Sequence, residues 1–265
     1  MQFQFSQYQY QTDAADAVCD VFDGQPLQDG VSYIRDVGIR KPVFPDPEPI
    51  QDTLFEDNRP KQATFNSYDE DDDTGYRNAD LLLTYERLLA NVKNVQRRQN
   101  LEESPKLYAD PAGAVELDVE METGTGKTFV YTKTMFELNR RYGWSKFIVV
   151  VPSIAIREGV AKSLDMTNDY FYTSGRDGNE GYGKKLHSFI YDSSSLTRLD
   201  EFAQSSDIQV MIINMQAFNT SMKENGRNKD ARIIFSERDN FGSRRPIDVI
   251  SATHPIMILD EPQKM

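Results

Sequence analysis

Met121-Glu122-Thr123-Gly124-Thr125-Gly126-Lys127-Thr128 is the stretch that decides how this chain folds. Two glycines one residue apart let backbone approach phosphate oxygens closely, and the amides that open a following helix point at the anion. Lys127 would reach the β- and γ-phosphates of a nucleotide, with Gly124, Thr125 and Gly126 around them, and the Thr128 hydroxyl would hold Mg²⁺. Met121 stands where the full pattern has Gly. The flanks supply the context that a short glycine motif lacks. Upstream, residues 115–120 alternate apolar and acidic side chains, as a strand entering a loop does. Downstream, Tyr131, Met135, Leu138 and Tyr142 recur at helical spacing until Gly143 ends the run.

From residue 115 onward short apolar runs alternate with helical patterns, which predicts an α/β fold with a parallel sheet flanked by helices. The predicted strands are 115–120, 147–152, 187–191, 210–214 and 256–260. Several are continuously apolar, as strands covered on both faces are. Ser153 is placed to cap a helix over 154–164. Before residue 115 the chain is less regular. Residues 6–23 read as a helix with an alanine-rich apolar side. Prolines 26, 42, 45, 47, 49 and 60 and the run Asp69-Glu70-Asp71-Asp72-Asp73 mark 25–76 as an irregular insertion. Leu82, Leu83, Tyr85, Leu88, Leu89, Val92 and Val95 predict a helix over 79–99. The expected organisation is an N-terminal segment over 1–24, a polar insertion over 25–112 and an α/β lobe over 113–265.

The last predicted strand runs into Asp260-Glu261-Pro262-Gln263. The carboxyl end of a buried strand is where α/β sheets place ligands. Read with the phosphate loop, Asp260 would hold Mg²⁺ through water and Glu261 would polarise an attacking water.

Bulk properties restrict the class. The chain has 265 residues, one cysteine and 38% hydrophobic residues, with a mean hydropathy of −0.61. Cys19, as the one cysteine, excludes an internal disulfide framework and reads as a buried thiol. Met1–Gln11 lacks the apolar core of a signal peptide, and no run is long enough to span a bilayer, so a cytoplasmic protein with no membrane association is expected. The net charge of −12 is unevenly spread: 11 acids and three bases in 46–80 account for −8 of it, leaving −4 elsewhere. Phosphate contacts depend on local basic groups, so DNA binding stays open. His187 and His254 are isolated and lack metal-ligand spacing.

The segments 121–128, 147–160, 210–218 and 256–265, together with 243–250, resemble the N-terminal part of the restriction subunit of type III restriction-modification enzymes, within the superfamily 2 helicases and translocases. Asp-Glu-Pro-Gln is the more specific marker, and Met121 is no departure in that family. The resemblance implies a RecA-like P-loop NTPase lobe. It implies ATP phosphates at Gly124, Gly126, Lys127 and Thr128, and Mg²⁺ and water activation at Asp260 and Glu261. It places the adenine edge at Gln11 after Tyr10, although an ordinary helix start accounts for that pair equally well. Ser153 and Arg157, and Gln216 in the next loop, would contact DNA phosphates, with an ordinary helix charge as the alternative for Arg157.

For an intact family member the resemblance implies ATP hydrolysis coupled to movement on double-stranded DNA and cleavage by a separate endonuclease domain. Site recognition would belong to a methyltransferase (Mod) partner subunit. Another superfamily 2 helicase, or a non-catalytic nucleotide- or DNA-binding fragment, are the competing expectations. Five residues follow Asp260, so the lobe is expected to be truncated after its acidic strand. The second motor lobe, the nuclease domain and an interior strand of the sheet would then be missing. Weak independent stability and little ATP turnover are expected of such a fragment.

Overall fold

A computed structural model describes residues 7–38, 73–109, 115–177, 180–192, 196–215 and 234–262. The predicted acidic run 69–72, most of the proline-rich stretch and Gln216 lie outside the described residues.

The central element is a four-stranded parallel sheet. In chain order the strands are β5 (Lys146–Val151), β6 (Leu186–Ile190), β7 (Ile208–Asn214) and β8 (Ile256–Leu259), and in space they run β6-β7-β5-β8. Register pairs Phe147 with Val210 and with Ile256, and Val150 with Ile213 and with Leu259. Alternate side chains of β5 divide between two cores. Phe147, Val149 and Val151 enter one, and Ile148 and Val150 the other, as a strand buried on both faces requires.

Helices α1 (Gln9–Asp20), α3 (Lys127–Tyr142) and α4 (Ile154–Thr173) carry residues of the first core. Helices α5 (Leu196–Gln204) and α6 (Pro246–Ala252) carry residues of the second. Helix α4 runs past the expected end at Leu164. Thr167 and Phe171 continue the buried stripe of Val160 and Leu164, and the Thr167 hydroxyl donates to the Ser163 carbonyl at 2.8 Å. Gly143 ends α3 in the left-handed conformation, φ 80°, as expected.

Three sequence expectations are corrected. Residues 115–120 do not join the parallel sheet. Only β4 (Val115–Glu116) is a strand, antiparallel to β3 (Tyr108–Ala109). Glu116, Asp118 and Glu120 are exposed, while Val115 and Leu117 pack toward helix α2 (Tyr85–Arg98). An alternating segment has one apolar face, and a place inside this sheet would bury its carboxylates. Helix α2 starts six residues later than predicted, because Thr84 caps it by accepting from the Arg87 amide at 3.3 Å and leaves Leu82 outside, 59% exposed. Within the stretch read as irregular, β1 (Val31–Ile34) pairs with β2 (Thr74–Arg77), its β-branched ends flanked by none of the prolines.

Charged groups fasten α1 against α3. Arg141 bonds to Asp20 at 2.7 Å and to Asp16, and the Tyr142 hydroxyl donates to the Cys19 carbonyl at 2.8 Å. Burial pushes the Cys19 thiol up, so it stays protonated. Glu137, 4% exposed, accepts from Arg140 at 2.6 Å, Arg141 at 3.0 Å and the Tyr182 hydroxyl at 2.7 Å. Burial opposes its ionisation, but the bonds from Arg140, Tyr182 and Arg141 outweigh burial and hold the carboxyl below its ordinary value of 4.5.

The sign follows from linkage. A carboxyl depressed in the folded state stabilises fully above its unfolded value and loses that contribution as pH falls through the folded one. The thermal midpoint should therefore fall more steeply below pH 4.5 in the wild type than in Glu137→Gln. Parallel acid profiles, measured by circular dichroism, would remove Glu137 from the account.

Candidate functional site

The glycine loop delivers the backbone to the start of α3. Gly124 and Gly126 both take positive φ, 84° and 87°. A Cβ at Gly126 would meet the Gln11 amide nitrogen at 2.7 Å, so the position needs glycine for space as well as conformation. A Cβ at Gly124 would meet nothing within 4 Å, which leaves that side of the loop open. Thr125 closes the turn, its hydroxyl donating to the Glu122 carbonyl at 2.7 Å. Gly126 caps the 16-residue helix without a side chain, so the first amides of α3 have no side-chain acceptor at the cap. Lys127 is half-buried, and among the described residues its ammonium has no hydrogen bond or ion pair.

The acidic pair lies at the carboxyl end of β8, beside β5. The Asp260 amide donates to the Val150 carbonyl at 2.9 Å, extending the β5–β8 ladder by one bond. Glu261 takes a left-handed conformation, φ 56°, ahead of Pro262. A non-glycine residue held there costs on the order of 1 kcal/mol, and such positions cluster at functional sites. Ser153 follows the neighbouring strand β5. Its hydroxyl accepts from the Ile156 amide at 3.3 Å and so caps α4. Arg157, one turn on, bonds to the adjacent Glu158 at 3.1 Å, while its enclosed Nε has no partner.

Gln11 stands far from the loop in sequence and next to it in space. Its Nε2 donates to the Thr125 carbonyl at 3.1 Å, and its Oε1 accepts from the Tyr8 amide at 3.3 Å. The Tyr10 hydroxyl donates to the same Thr125 carbonyl at 3.0 Å. Both ends of the Gln11 amide are thus engaged, and the side chain is buried. The α1–α3 ion pairs keep this contact in place.

Sequence reasoning passed over Tyr131 except as one apolar position of the α3 stripe. One turn after Thr128, its hydroxyl is enclosed and makes no regular hydrogen bond. Burial keeps that phenol protonated, the Thr128 hydroxyl lies beside it, and the Asp260 charge acts on it.

These donors fit a nucleoside triphosphate and a hard divalent cation. The uncapped helix start, the open loop backbone and the unpaired Lys127 suit phosphates. No cluster of three His, Cys, Asp or Glu side chains occurs among the described residues. A cation here would rely on Thr128, Asp260, phosphate oxygens and water, as Mg²⁺ commonly does. The two histidines take other places: His254 meets Asp80 at 2.9 Å, and His187 lies 3.8 Å from Asp207. Among the described residues no helix is long and apolar enough to cross a membrane.

A sequence model of the family described as "Type III restriction enzyme, res subunit" matches residues 82–262. The chain is 30% identical over 200 residues to the type III restriction-modification enzyme EcoPI Res subunit of Escherichia phage P1, covering 71% of this chain and 19% of that protein. It is 27% identical over 199 residues to the EcoP15I Res subunit of Escherichia coli, with the same coverage. To the StyLTI Res subunit of Salmonella typhimurium it is 33% identical over 178 residues, 59% of this chain and 16% of that one. The matched region thus spans about a fifth of the length of these relatives.

Proposed function

Since the chain belongs to the type III restriction enzyme Res-subunit family, whose helicase-like domain the parallel sheet and flanking helices fit, we propose that it is the ATP-binding first motor lobe of a DNA-dependent ATPase and translocase. The observation that carries this reading is the unpaired Lys127 at the uncapped start of α3, directly after the open glycine loop. The first amides of α3 and the Lys127 ammonium bind the β- and γ-phosphates. Gly124, Thr125 and Gly126 let the backbone approach them. Thr128 and Asp260 would hold Mg²⁺, which when bound neutralises charge on the phosphoryl oxygens. Glu261 orients and polarises the attacking water. Gln11 reads the adenine edge by exchanging its bond with Thr125 for one to the base.

On the DNA side, the amides at Ser153 and the Arg157 guanidinium meet backbone phosphates, which position a duplex without reading its sequence. Gln216, which lies outside the described residues, is assigned the same task. In an intact subunit ATP hydrolysis would drive movement on double-stranded DNA, cutting would belong to a nuclease domain, and site recognition to a Mod methyltransferase partner.

Lys127→Ala tests the nucleotide assignment. A hydrogen bond to a charged group contributes about 1.5–3 kcal/mol, so Mg-ATP affinity measured by titration calorimetry should fall roughly 10- to 100-fold. Equal affinity of the variant and the wild type would sink the phosphate-loop reading.

A further inference from the structure

The peptide group between Thr125 and Gly126 has one direction that suits an anion and one that does not. In a trans peptide the carbonyl and the following amide point to opposite sides, so whatever holds the Thr125 oxygen also aims the Gly126 N–H. Two donors hold it, both from α1: the Tyr10 hydroxyl at 3.0 Å and the Gln11 Nε2 at 3.1 Å. The Gly126 amide, aimed away from them, donates no hydrogen bond among the described residues. Other bonds of the turn do not fix this group, since the Thr125 amide and hydroxyl both go to the Glu122 carbonyl, at 3.4 and 2.7 Å. Nor does the local backbone. Turning the peptide over would carry Gly126 from φ 87° into the negative range, which glycine occupies as readily. The group would then present its carbonyl oxygen, not its N–H, to a phosphate.

We propose that Tyr10 is a positioning residue for the nucleotide phosphates: it keeps the Thr125 carbonyl on the α1 side, so the Gly126 amide stays turned toward the anion after Gln11 has let go. A second donor is needed because Gln11 is assigned above to the adenine edge. A side chain that leaves Thr125 to read the base releases the carbonyl just as the phosphates arrive. Tyr10 has no such second task. Its ring stacks on Tyr8, with centroids 5.7 Å apart and planes 14° from parallel, which steadies the hydroxyl although the residue is 47% exposed. Tyr10 itself touches neither base nor phosphate. The inference rests on the nucleotide reading given above, and it is separable from it.

The test uses the full 265-residue chain and a probe without a base, tripolyphosphate with Mg²⁺. Tyr10→Phe should bind it about 3-fold more weakly, because Gln11 still holds the carbonyl, and Gln11→Met about 3-fold more weakly for the converse reason. The double variant should lose about 30-fold, more than the two single losses multiplied, since the donors share one acceptor. The preference for ATP over GTP should be unchanged in Tyr10→Phe and reduced in Gln11→Met. In ligand-free protein labelled with ¹⁵N-glycine, the Gly126 amide resonance should shift in the double variant as the peptide populates its turned-over form. A residue that merely braced α1 would leave that resonance in place.

Single losses that simply multiply, an unmoved Gly126 resonance, or a changed ATP preference in Tyr10→Phe each overturn the proposal. Lys127→Ala separates its failure from that of the nucleotide reading. If Lys127→Ala weakens tripolyphosphate binding while the double variant binds as wild type does, only the positioning role falls. If Lys127→Ala changes nothing, the nucleotide site falls and the positioning role with it.

Discussion

Asn78→Ala is expected to lower the unfolding free energy by about 4 kcal/mol, on a scale of about 1 kcal/mol for each of four lost hydrogen bonds and more where a buried group is stranded. Asn78 is 2% exposed and bonds only to backbone. Its Oδ1 accepts from the Ser145 amide at 2.7 Å and the Lys146 amide at 2.9 Å. Its Nδ2 donates to the Lys146 carbonyl at 2.8 Å and the His254 carbonyl at 3.0 Å. Its own amide donates to the Thr253 carbonyl at 3.0 Å. One side chain therefore satisfies the amino ends of β5 and β8 together. Removing it takes one hydrogen bond from each of four main-chain groups in a site too enclosed for free hydration.

Asn78→Asp makes a useful companion. It keeps the acceptor for the two amides, loses both donors and adds a buried charge, so it should be no more stable than the alanine variant. Urea unfolding with an unchanged slope reads both effects. A loss below 1 kcal/mol for Asn78→Ala would show that the strand ends are held by other means.

The second large effect concerns pH. Lys146, the first residue of β5, is fully buried. Its ammonium donates to the Phe202 carbonyl at 2.5 Å and to the Ser205 carbonyl, and lies 5.3 Å from the Phe202 ring centre. These carbonyls close the last turn of α5, where a cation is favoured. Burial nevertheless pushes its pKa down from 10.5 to about 7, with Asp207 offsetting a part. A lysine depressed in the folded state is bound by fewer protons there than in the unfolded chain between those two values. Stability should therefore rise with pH from about 7 to 10.5, at up to about 1.4 kcal/mol per pH unit. Below about 7 the cost is fully present and this group adds no further slope.

Lys146→Met should flatten that rise, because a side chain of similar length without a charge has nothing to deprotonate. At pH 7 the variant should match or exceed wild type, as replacements of buried charges by apolar groups often do. Urea unfolding of both proteins at pH 7, 8 and 9 gives the comparison. Parallel profiles would show that another group carries the dependence.

Much of the fold could be read locally. Phe147 to Val151 is a continuous apolar run and becomes a strand buried on both faces. Gly143 ends its helix and Ser153 begins the next, as single residues with one physical role each. The errors came where local signals compete. Residues 115–120 have the alternation of a strand, but nothing in that alternation says which neighbour pairs with it. Helix α4 outran its apolar pattern because Thr167 supplies its own hydrogen bond inside the core.

The candidate site divides in the same way. Gly124, Gly126, Lys127 and Thr128 were legible because a glycine loop and a helix start act through their own backbone, within eight residues of chain. The sequence by itself therefore determined the glycine loop before α3, the strand and helix alternation around it, and the acidic pair that ends the last strand. Only the tertiary structure decided that Gln11 leans on Thr125, that Asn78 holds two strand ends, and that the Tyr131 hydroxyl is shut in beside Thr128 under the charge of Asp260. The physical reason is that burial and hydrogen-bond satisfaction depend on groups far apart in the chain, and no local pattern records which of them will meet.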